Sequence, residues 1–323
     1  MKLIRNLLCA STLALVAASA VQAQQMDTVR IATLAPGALL WIHDVAETKG
    51  FYKANRLDVK KLQVADSPAL VQAVASGSAD VGISLGDVVI RAIDQNAPII
   101  IAGGYLVKSS LRLVGAKDIK DIKQFQGTTM TAGAVRGGTT NMMLYQLKQH
   151  GVDPNTIQRV SIPNSRDRVL AMESGQVRGA LMTPPFDVMA SKMGMNILDV
   201  YEEPYLQTPL IVNTKWSGQN RDVAVRMLRA SRSASEWLND PANRVEAVAL
   251  LAAKANVPLD LAEASYQFLV VEHKVYPVDL TVQDAAITNI FKIDRAINPA
   301  DHPKDEPKVD VRKYYDPSYL SAK

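Results

Sequence analysis

The sequence predicts an α/β protein with two lobes, each a mainly parallel sheet flanked by helices, followed by a helical C-terminal region. Short apolar strands alternate with helices through the first two thirds of the chain, a pattern typical of parallel sheets covered on both faces. A Ser-Gly turn between an apolar helix and an apolar strand occurs twice, at 76–77 and 174–175. This repeated pattern indicates two lobes of similar construction.

The first lobe is predicted from strands and helices in strict alternation. Gly50 and Gly77 end helices, since glycine tolerates the left-handed conformation found there. Asp66 followed by Pro68 begins a helix, because a carboxylate cap and an early proline are typical helix starts. The predicted strands are 29–33, 57–64, 80–84 and 99–103, and the predicted helices are 39–48, 69–76 and 85–95.

The second lobe repeats this alternation, and the chain is then expected to return to the first lobe through a strand at 210–213. The two crossings, near 103–110 and 201–208, would form a hinge. Amphipathic helices follow residue 220. The predicted boundaries are 1–23 for a signal peptide, 24–108 for the first part of lobe one, 109–205 for lobe two, and 206–323 for the return and the C-terminal helices.

The N-terminus has the three parts of a secretory signal peptide. Lys2 and Arg5 precede an apolar run at 7–18, and the small residues of 21–23 form a cleavage site. Cys9 lies inside the apolar run, so the mature chain has no cysteine and is expected to depend on a packed core. These features predict a periplasmic protein.

Charge and chemistry-bearing residues narrow the function further. Without the signal peptide the chain has 34 basic and 32 acidic residues, a net charge of +2, which argues against nucleic-acid binding. The four histidines are scattered, and neither a metal-ligand spacing nor a nucleophile motif occurs. We therefore expect a monomer that binds a small molecule, with no catalytic residues, no metal and no cofactor.

One stretch, Arg136-Gly137-Gly138-Thr139-Thr140, has features of an anion-binding site. It follows a short strand at 128–131 and begins a predicted helix, whose first turn has N–H groups without helical partners and a partial positive charge. Such helix starts bind anions. An ordinary glycine-rich turn with a threonine cap is the alternative, and both interpretations stay open.

Four segments together resemble a known family. They are Thr-Lys-Gly-Phe-Tyr-Lys at 48–53, Ala-Val-Ala-Ser-Gly-Ser-Ala-Asp-Val-Gly at 73–82, Gly-Gly-Thr-Thr at 137–140, and Met-Glu-Ser-Gly-Gln-Val-Arg-Gly-Ala-Leu at 172–181. Over residues 29–213 the chain resembles solute-binding subunits of ABC importers with the type II periplasmic-binding fold. The nearest group contains sulfonate, taurine and nitrate binders and thiamine-pyrimidine-synthase-like proteins.

The resemblance implies a cleft that closes on a small organic anion, a carboxylate or a sulfonate that could be aromatic, and an inner-membrane ABC permease as partner. Arg136 favours a planar carboxylate, which it can hold through two contacts. Trp41 and Tyr105 suit stacking on an aromatic ring and equally suit the core. The residues implied to bind the ligand are Trp41, Ser67, Pro68, Ser84, Leu85, Tyr105, Arg136, Gly137, Gly138, Thr139, Thr140, Pro184 and Phe186.

Two alternatives to transport remain open at this stage. The same soluble protein could report to a sensor kinase or chemoreceptor. It could also resemble the pyrimidine synthases of the group, as an enzyme or as a binder of a pyrimidine precursor. The enzyme is disfavoured because the resemblance implies a cysteine cluster that the mature chain lacks.

Overall fold

A computed structural model describes residues 26–135, 137–302 and 308–321. The predicted signal peptide and Arg136 lie outside the described residues. Within them, the strands in chain order are β1 (Asp27–Thr33), β2 (Leu57–Gln63), β3 (Val81–Ile83), β4 (Ile99–Lys108), β5 (Arg112–Gly115), β6 (Thr129–Thr131), β7 (Gln158–Arg159), β8 (Gly179–Met182), β9 (Asn196–Val200) and β10 (Pro204–Asn213).

The strands of the described residues form two five-stranded sheets with the same topology. The first sheet has the order β2-β1-β3-β10-β4, and the second has the order β7-β6-β8-β5-β9. In each, four strands run in one direction, and the strand in fourth place is antiparallel to both of its neighbours. The antiparallel strand is in each case the one that arrives from the other sheet, so each lobe incorporates one strand beside a connection between the lobes.

Helices cover these sheets and form the C-terminal region. In chain order they are α1 (Trp41–Thr48), α2 (Phe51–Ala54), α3 (Ser67–Ala75), α4 (Gly86–Asp94), α5 (Gly138–Gln149), α6 (Ser165–Glu173), α7 (Phe186–Lys192), α8 (Thr214–Gln219), α9 (Arg221–Asn239), α10 (Arg244–Ala255), α11 (Leu259–Tyr266), α12 (Asp284–Ile297) and α13 (Ser318–Ser321). A π-helical turn, Gln267–Glu272, extends α11.

The repeated Ser-Gly turn has the same geometry in both lobes. Gly77 and Gly175 have φ angles of 79° and 78°, values in the left-handed region that glycine adopts without a steric penalty. The hydroxyls of Ser76 and Ser174 each donate to a carbonyl three residues earlier, at 3.2 and 3.1 Å. The repeated sequence pattern therefore corresponds to equivalent helix-to-strand turns.

Local sequence also explains where several helices begin. Asp66 and Asn164 cap α3 and α6 by accepting hydrogen bonds from backbone N–H groups. Strand β7 is only two residues long, Gln158–Arg159. It lies at the sheet edge, and both of its residues are exposed.

The chain changes sheet twice, between β4 and β5 and between β9 and β10. The two connections lie side by side, because the Ser110 N–H donates to Gln207 Oε1 at 2.6 Å and Gln207 Nε2 donates to the Ser110 hydroxyl at 2.8 Å. The boundaries at residues 108 and 205 stay predictions. The reciprocal bond nevertheless joins the two segments predicted to form the hinge.

Gly86 is required where α4 begins against β10. A Cβ added at Gly86 would lie 2.0 Å from the carbonyl oxygen of Leu206, whereas one added at Gly218 would meet nothing within 4 Å. Gly86→Ala should lower the free energy of unfolding by about 2 kcal/mol or more, since backbone must move. Gly218→Ala, inside α8, should be neutral or stabilising by up to about 1 kcal/mol. Urea unfolding of both variants tests this, and equal stabilities would contradict the close approach.

Candidate functional site

Buried hydroxyls without a hydrogen-bond partner lie where the strands of both sheets end. In open α/β sheets, ligands bind beyond the carboxyl ends of the strands. A buried hydroxyl that lacks a partner costs about 1–3 kcal/mol, so such groups need an explanation. Those at the carboxyl ends of β1, β3 and β6 and at the start of α3 are Thr33, Ser84, Thr131 and Ser67.

The hydroxyls of the first lobe share one sheet edge. Strands β1, β3 and β10 are consecutive neighbours, with Ala32 beside Gly82 and Leu210 beside Ile83. Thr33 is the last residue of β1, and Ser84 directly follows β3. The buried hydroxyl of Thr208 in β10 also lacks a partner. This edge therefore offers several polar groups to one region of space.

The glycine-rich start of α5 binds a carboxylate from elsewhere in the protein. The Gly138 N–H donates to Asp87 Oδ2 at 2.6 Å, which joins α5 of the second lobe to α4 of the first. The threonine hydroxyls bond within their own loop: Thr139 to the Ala132 carbonyl at 2.5 Å and Thr140 to the Ala134 carbonyl at 2.7 Å. The Gly138 N–H thus binds a carboxylate of the protein itself, and binding of a solute by this stretch stays a prediction.

Asp87 is well placed for this role. Its carboxylate is buried, lies in the first turn of α4, and accepts a second hydrogen bond from Arg91 at 2.7 Å. Negative charge is favourable near the start of a helix, and here one carboxylate lies near two helix starts. A Cβ on Gly138 would lie 2.3 Å from Asp87 Cβ, so the contact requires glycine.

Arg168 makes this end of the second lobe electropositive. Its guanidinium is completely buried and donates to the carbonyls of Ile162, Leu181 and Pro163 at 2.8, 2.6 and 2.7 Å. Among the described residues it forms no ion pair with a carboxylate, and burial lowers its pKa to about 10. A guanidinium compensated only by carbonyl dipoles leaves positive potential where β7 and β8 end.

Arg112, Asp187 and Phe268 form a second charged group at the same end of the second sheet. The Arg112 Nε lies 3.3 Å from Asp187 Oδ2, and the guanidinium carbon lies 3.3 Å from the centre of the Phe268 ring. Asp187 is completely buried, and burial raises its pKa to about 6. Sequence analysis missed all three, although a single arginine in an apolar strand, Leu111-Arg112-Leu113-Val114-Gly115, was a usable signal.

The aromatic residues proposed for stacking lie in the core, the alternative that the sequence left open. Trp41 is inaccessible to solvent, donates to the Ala247 carbonyl at 3.2 Å, and packs edge-on against Tyr266 and Tyr276. Tyr105 is equally buried and bonds to Ser231 at 2.7 Å. Both aromatic rings therefore have their partners within the first lobe.

The other residues implied by the resemblance lie in loops at the two sheet edges. Ser67 and Ser84 are buried, Leu85 is partly buried, and Pro68 is exposed at the start of α3. Pro184 and Phe186 are buried at the end of β8, and the Arg166 guanidinium lies 5.0 Å from the Phe186 ring. That all of these residues contact a ligand stays a prediction.

One group of side chains in the described residues has metal-ligand chemistry. His43, Asp44 and Glu47 of α1 offer ligand atoms within 4.8 Å of one another. Lys254 already provides a cation there, at 2.9 Å from Glu47 and 3.9 Å from Asp44. His43 Nδ1 bonds to the Tyr52 hydroxyl at 2.9 Å. We interpret the group as an ionic contact between α1 and α10.

Comparisons with known proteins agree with this architecture. The family profile described as "NMT1/THI5 like" matches residues 44–244. The Bacillus subtilis (strain 168) protein YtlA, named as a binding protein, is 25% identical over 211 residues, which are 61% of this chain and 61% of YtlA. The chain therefore matches less than two thirds of that relative's length.

Similar solved structures share the fold across most of the chain. The ligand-binding component of an ABC-type import system from Staphylococcus aureus, solved with zinc, has a TM-score of 0.77 and 16% identity, covering 92% of this chain and 98% of that one. The nitrate-binding protein NrtA from Synechocystis PCC 6803 has a TM-score of 0.72 and 14% identity, and the match covers 87% of this chain and 83% of NrtA. The alkanesulfonate-binding protein SsuA from Xanthomonas axonopodis pv. citri, bound to MOPS, has a TM-score of 0.68 and 15% identity. The match covers 84% of this chain and 91% of SsuA. The predicted fold class and group are thereby confirmed.

The bond between Asp87 and Gly138 should hold the lobes together. Asp87→Ala should lower the free energy of unfolding by about 1.5–3 kcal/mol, because a charge-assisted bond is lost and the Gly138 N–H keeps no acceptor. It should also raise the radius of gyration measured by small-angle X-ray scattering. Asp94→Asn is the control, since Asp94 of the same helix accepts from Tyr314 within the first lobe. An unchanged radius in Asp87→Ala would contradict a role in holding the lobes together.

Asp44 should make stability depend on pH. Burial raises its pKa from 3.8 to about 6, so its stabilising contribution is complete below pH 4 and is lost as the pH rises through 6. The pKa of His43, lowered to about 4 by burial, has the opposite effect between pH 6.5 and 4. Asp44→Asn should therefore be about 1–2 kcal/mol more stable than wild type at pH 7.5.

Urea unfolding at pH 4.5, 6.0 and 7.5 measures this dependence. In Asp44→Asn the loss of stability caused by His43 on acidification should become visible, because the opposing carboxyl group is gone. Asp58→Asn is the control, since Asp58 forms an exposed pair with Lys60. Parallel pH profiles for wild type and Asp44→Asn would show that Asp44 titrates normally.

Proposed function

Because the chain belongs to the NMT1/THI5-like family, we propose that it is the periplasmic solute-binding component of an ABC importer and captures a small organic anion between its lobes. One observation carries the proposal. Buried hydroxyls lack partners at the strand ends of both sheets, with Thr33 and Ser84 on one and Thr131 on the other. A ligand held between the lobes would supply partners to both sets.

The positive groups support an anion as the solute. Arg112 is accompanied by two carboxylates, because Asp187 forms an ion pair with it and the negative charge of Glu272 also acts on it. Arg168 is buried and forms no ion pair with a carboxylate of the described residues, so it contributes one positive charge without a counter-ion. Arg136, which adjoins the glycines in the sequence, would add another. A carboxylate or sulfonate would neutralise this excess, and loops from both lobes would enclose it.

Closure about the two bonded connections would give a monomeric binding protein its ligand-dependent shape. The closed form would deliver the solute to an inner-membrane permease, and the protein itself would carry out no reaction. No helix in the described part of the chain is both long and apolar enough to cross a membrane.

A thermal-shift screen of carboxylates, sulfonates and neutral pyrimidines tests the solute class, because a ligand that binds only the folded state raises the melting temperature. Organic acids should shift the transition and neutral pyrimidines should not. Stimulated uptake by vesicles containing the cognate permease would support transport. Binding without any stimulation would favour a sensory role instead.

Ser84→Ala should have opposite effects on the free and bound protein. Removing a buried hydroxyl that has no partner should stabilise the free protein by up to about 1 kcal/mol, and losing a ligand contact should weaken binding by about 0.5–1.5 kcal/mol. Ser235→Ala is the matched control, because that buried hydroxyl donates to the Pro277 carbonyl at 2.8 Å. The control should be destabilised by about 1 kcal/mol and bind normally. Calorimetry showing unchanged ligand affinity in Ser84→Ala would remove Ser84 from the site.

A further inference from the structure

Arg112 lies at the edge of the second sheet where β8 ends. It is the first residue of β5 and pairs with Met182, the last residue of β8. Because β5 is antiparallel to β8, the start of β5 lies at the edge where β8 ends and the 183–186 loop begins. The residue is also only two positions beyond Ser110, which bonds the two connections together.

The guanidinium of Arg112 is enclosed but poorly satisfied. Its side chain is 15% exposed, and its contacts are the ion pair to Asp187 and the ring of Phe268. Among the described residues, no oxygen accepts an aligned hydrogen bond from it. Arg112 donates no aligned hydrogen bond to either oxygen of the fully buried Asp187, so the pair balances charge without satisfying the guanidinium donors.

The two terminal nitrogens of Arg112 donate no aligned hydrogen bond to a described residue. Nε lies 3.3 Å from Asp187 Oδ2, and the Phe268 ring covers one face of the guanidinium. Two parallel N–H groups match the two oxygens of a planar carboxylate. A tetrahedral sulfonate has a third oxygen outside that plane, for which Arg112 has no donor.

Charge at the end of β8 is consistent with an anionic ligand. Arg168 donates to the carbonyl of Leu181, and the backbone of Arg112 pairs with that of Met182, so both arginines belong to the region where β8 ends. Asp187 forms an ion pair with Arg112, and the negative charge of Glu272 also acts on Arg112. Arg168 forms no ion pair with a described carboxylate, so an incoming anion would balance the charge of Arg168.

Phe268 connects this group to the opposite lobe. It belongs to the π-helical turn Gln267–Glu272 of the C-terminal region, whose next residue, His273, lies 3.0 Å from Glu202 in the connection between β9 and β10. The turn therefore contacts the chain beside both connections. A change in the angle between the lobes would alter how Phe268 covers Arg112.

We propose that Arg112 binds the acid group of the solute and makes the site selective for planar carboxylates over sulfonates of the same carbon frame. Phe268 restricts the approach to the guanidinium edge when the lobes close, and Asp187 holds that edge in position. This inference rests on the proposed function, since it requires that an organic acid binds between the lobes.

The test measures binding of matched acids to the mature protein by calorimetry, with thermal shift as a second readout. The probes are acetate and methanesulfonate, benzoate and benzenesulfonate, and 3-aminopropionate and taurine. Arg112→Ala should weaken carboxylate binding by about ten- to a hundredfold. Arg112→Lys keeps the charge without the planar pair of donors, so it should lose the preference for carboxylate.

Two further variants control for structure. Arg178→Ala removes an arginine of the same lobe that pairs with Asp118 on the surface, and it should bind as wild type does. The double variant Arg112→Gln/Asp187→Asn removes both charges of the buried pair, so it should fold even where Arg112→Ala does not. It should still fail to bind the acids.

The outcomes separate this inference from the proposed function. Carboxylate binding that is unchanged in folded Arg112→Ala or in the double variant would overturn the role of Arg112 and leave the anion proposal standing. Equal or tighter binding of sulfonates by wild type would overturn the selectivity. Failure of every acid to bind folded wild type would overturn the anion proposal and this inference together.

Discussion

One carboxylate joins the two lobes at the point where both present a helix start. Asp87 lies in the first turn of α4 and accepts the N–H of Gly138, the first residue of α5, at 2.6 Å. The glycine is needed because any Cβ would overlap the aspartate. The relative position of the sheets therefore depends on a short, buried, charge-assisted contact in addition to the connections of the chain.

The polar groups at the strand ends differ in whether the protein supplies their hydrogen-bond partners. The threonines of the α5 loop and the guanidinium of Arg168 have hydrogen-bond partners in the protein. The hydroxyls of Ser67, Ser84 and Thr131 have none, and Arg112 has an ion pair and an aromatic ring but no aligned acceptor. The groups with protein partners fix the loops in place, so the loops are ordered before a ligand arrives. The groups without partners are those that a bound molecule would satisfy.

Sequence reasoning succeeded where local chemistry decides the structure. Helix caps, glycine turns and strand alternation predicted the elements and the two-lobed fold, whereas solute binding by Gly138 stays a prediction. The bond from Gly138 to Asp87, 51 residues earlier, follows from how two lobes pack, which no local pattern contains. Trp41 is buried for the same reason, because Tyr266 and Tyr276 return to cover it. Arg112 was overlooked because its significance comes from Asp187 and Phe268, which are distant in sequence.

The paired bonds between Ser110 and Gln207 restrict the motions available to the lobes. Two separate connections would let one lobe slide, twist or tilt against the other. Bonded side by side, and continuous with the ladder between β4 and β10, they act as a single two-stranded ribbon. Such a ribbon bends most readily across its flat face, so the molecule keeps mainly one rotational degree of freedom.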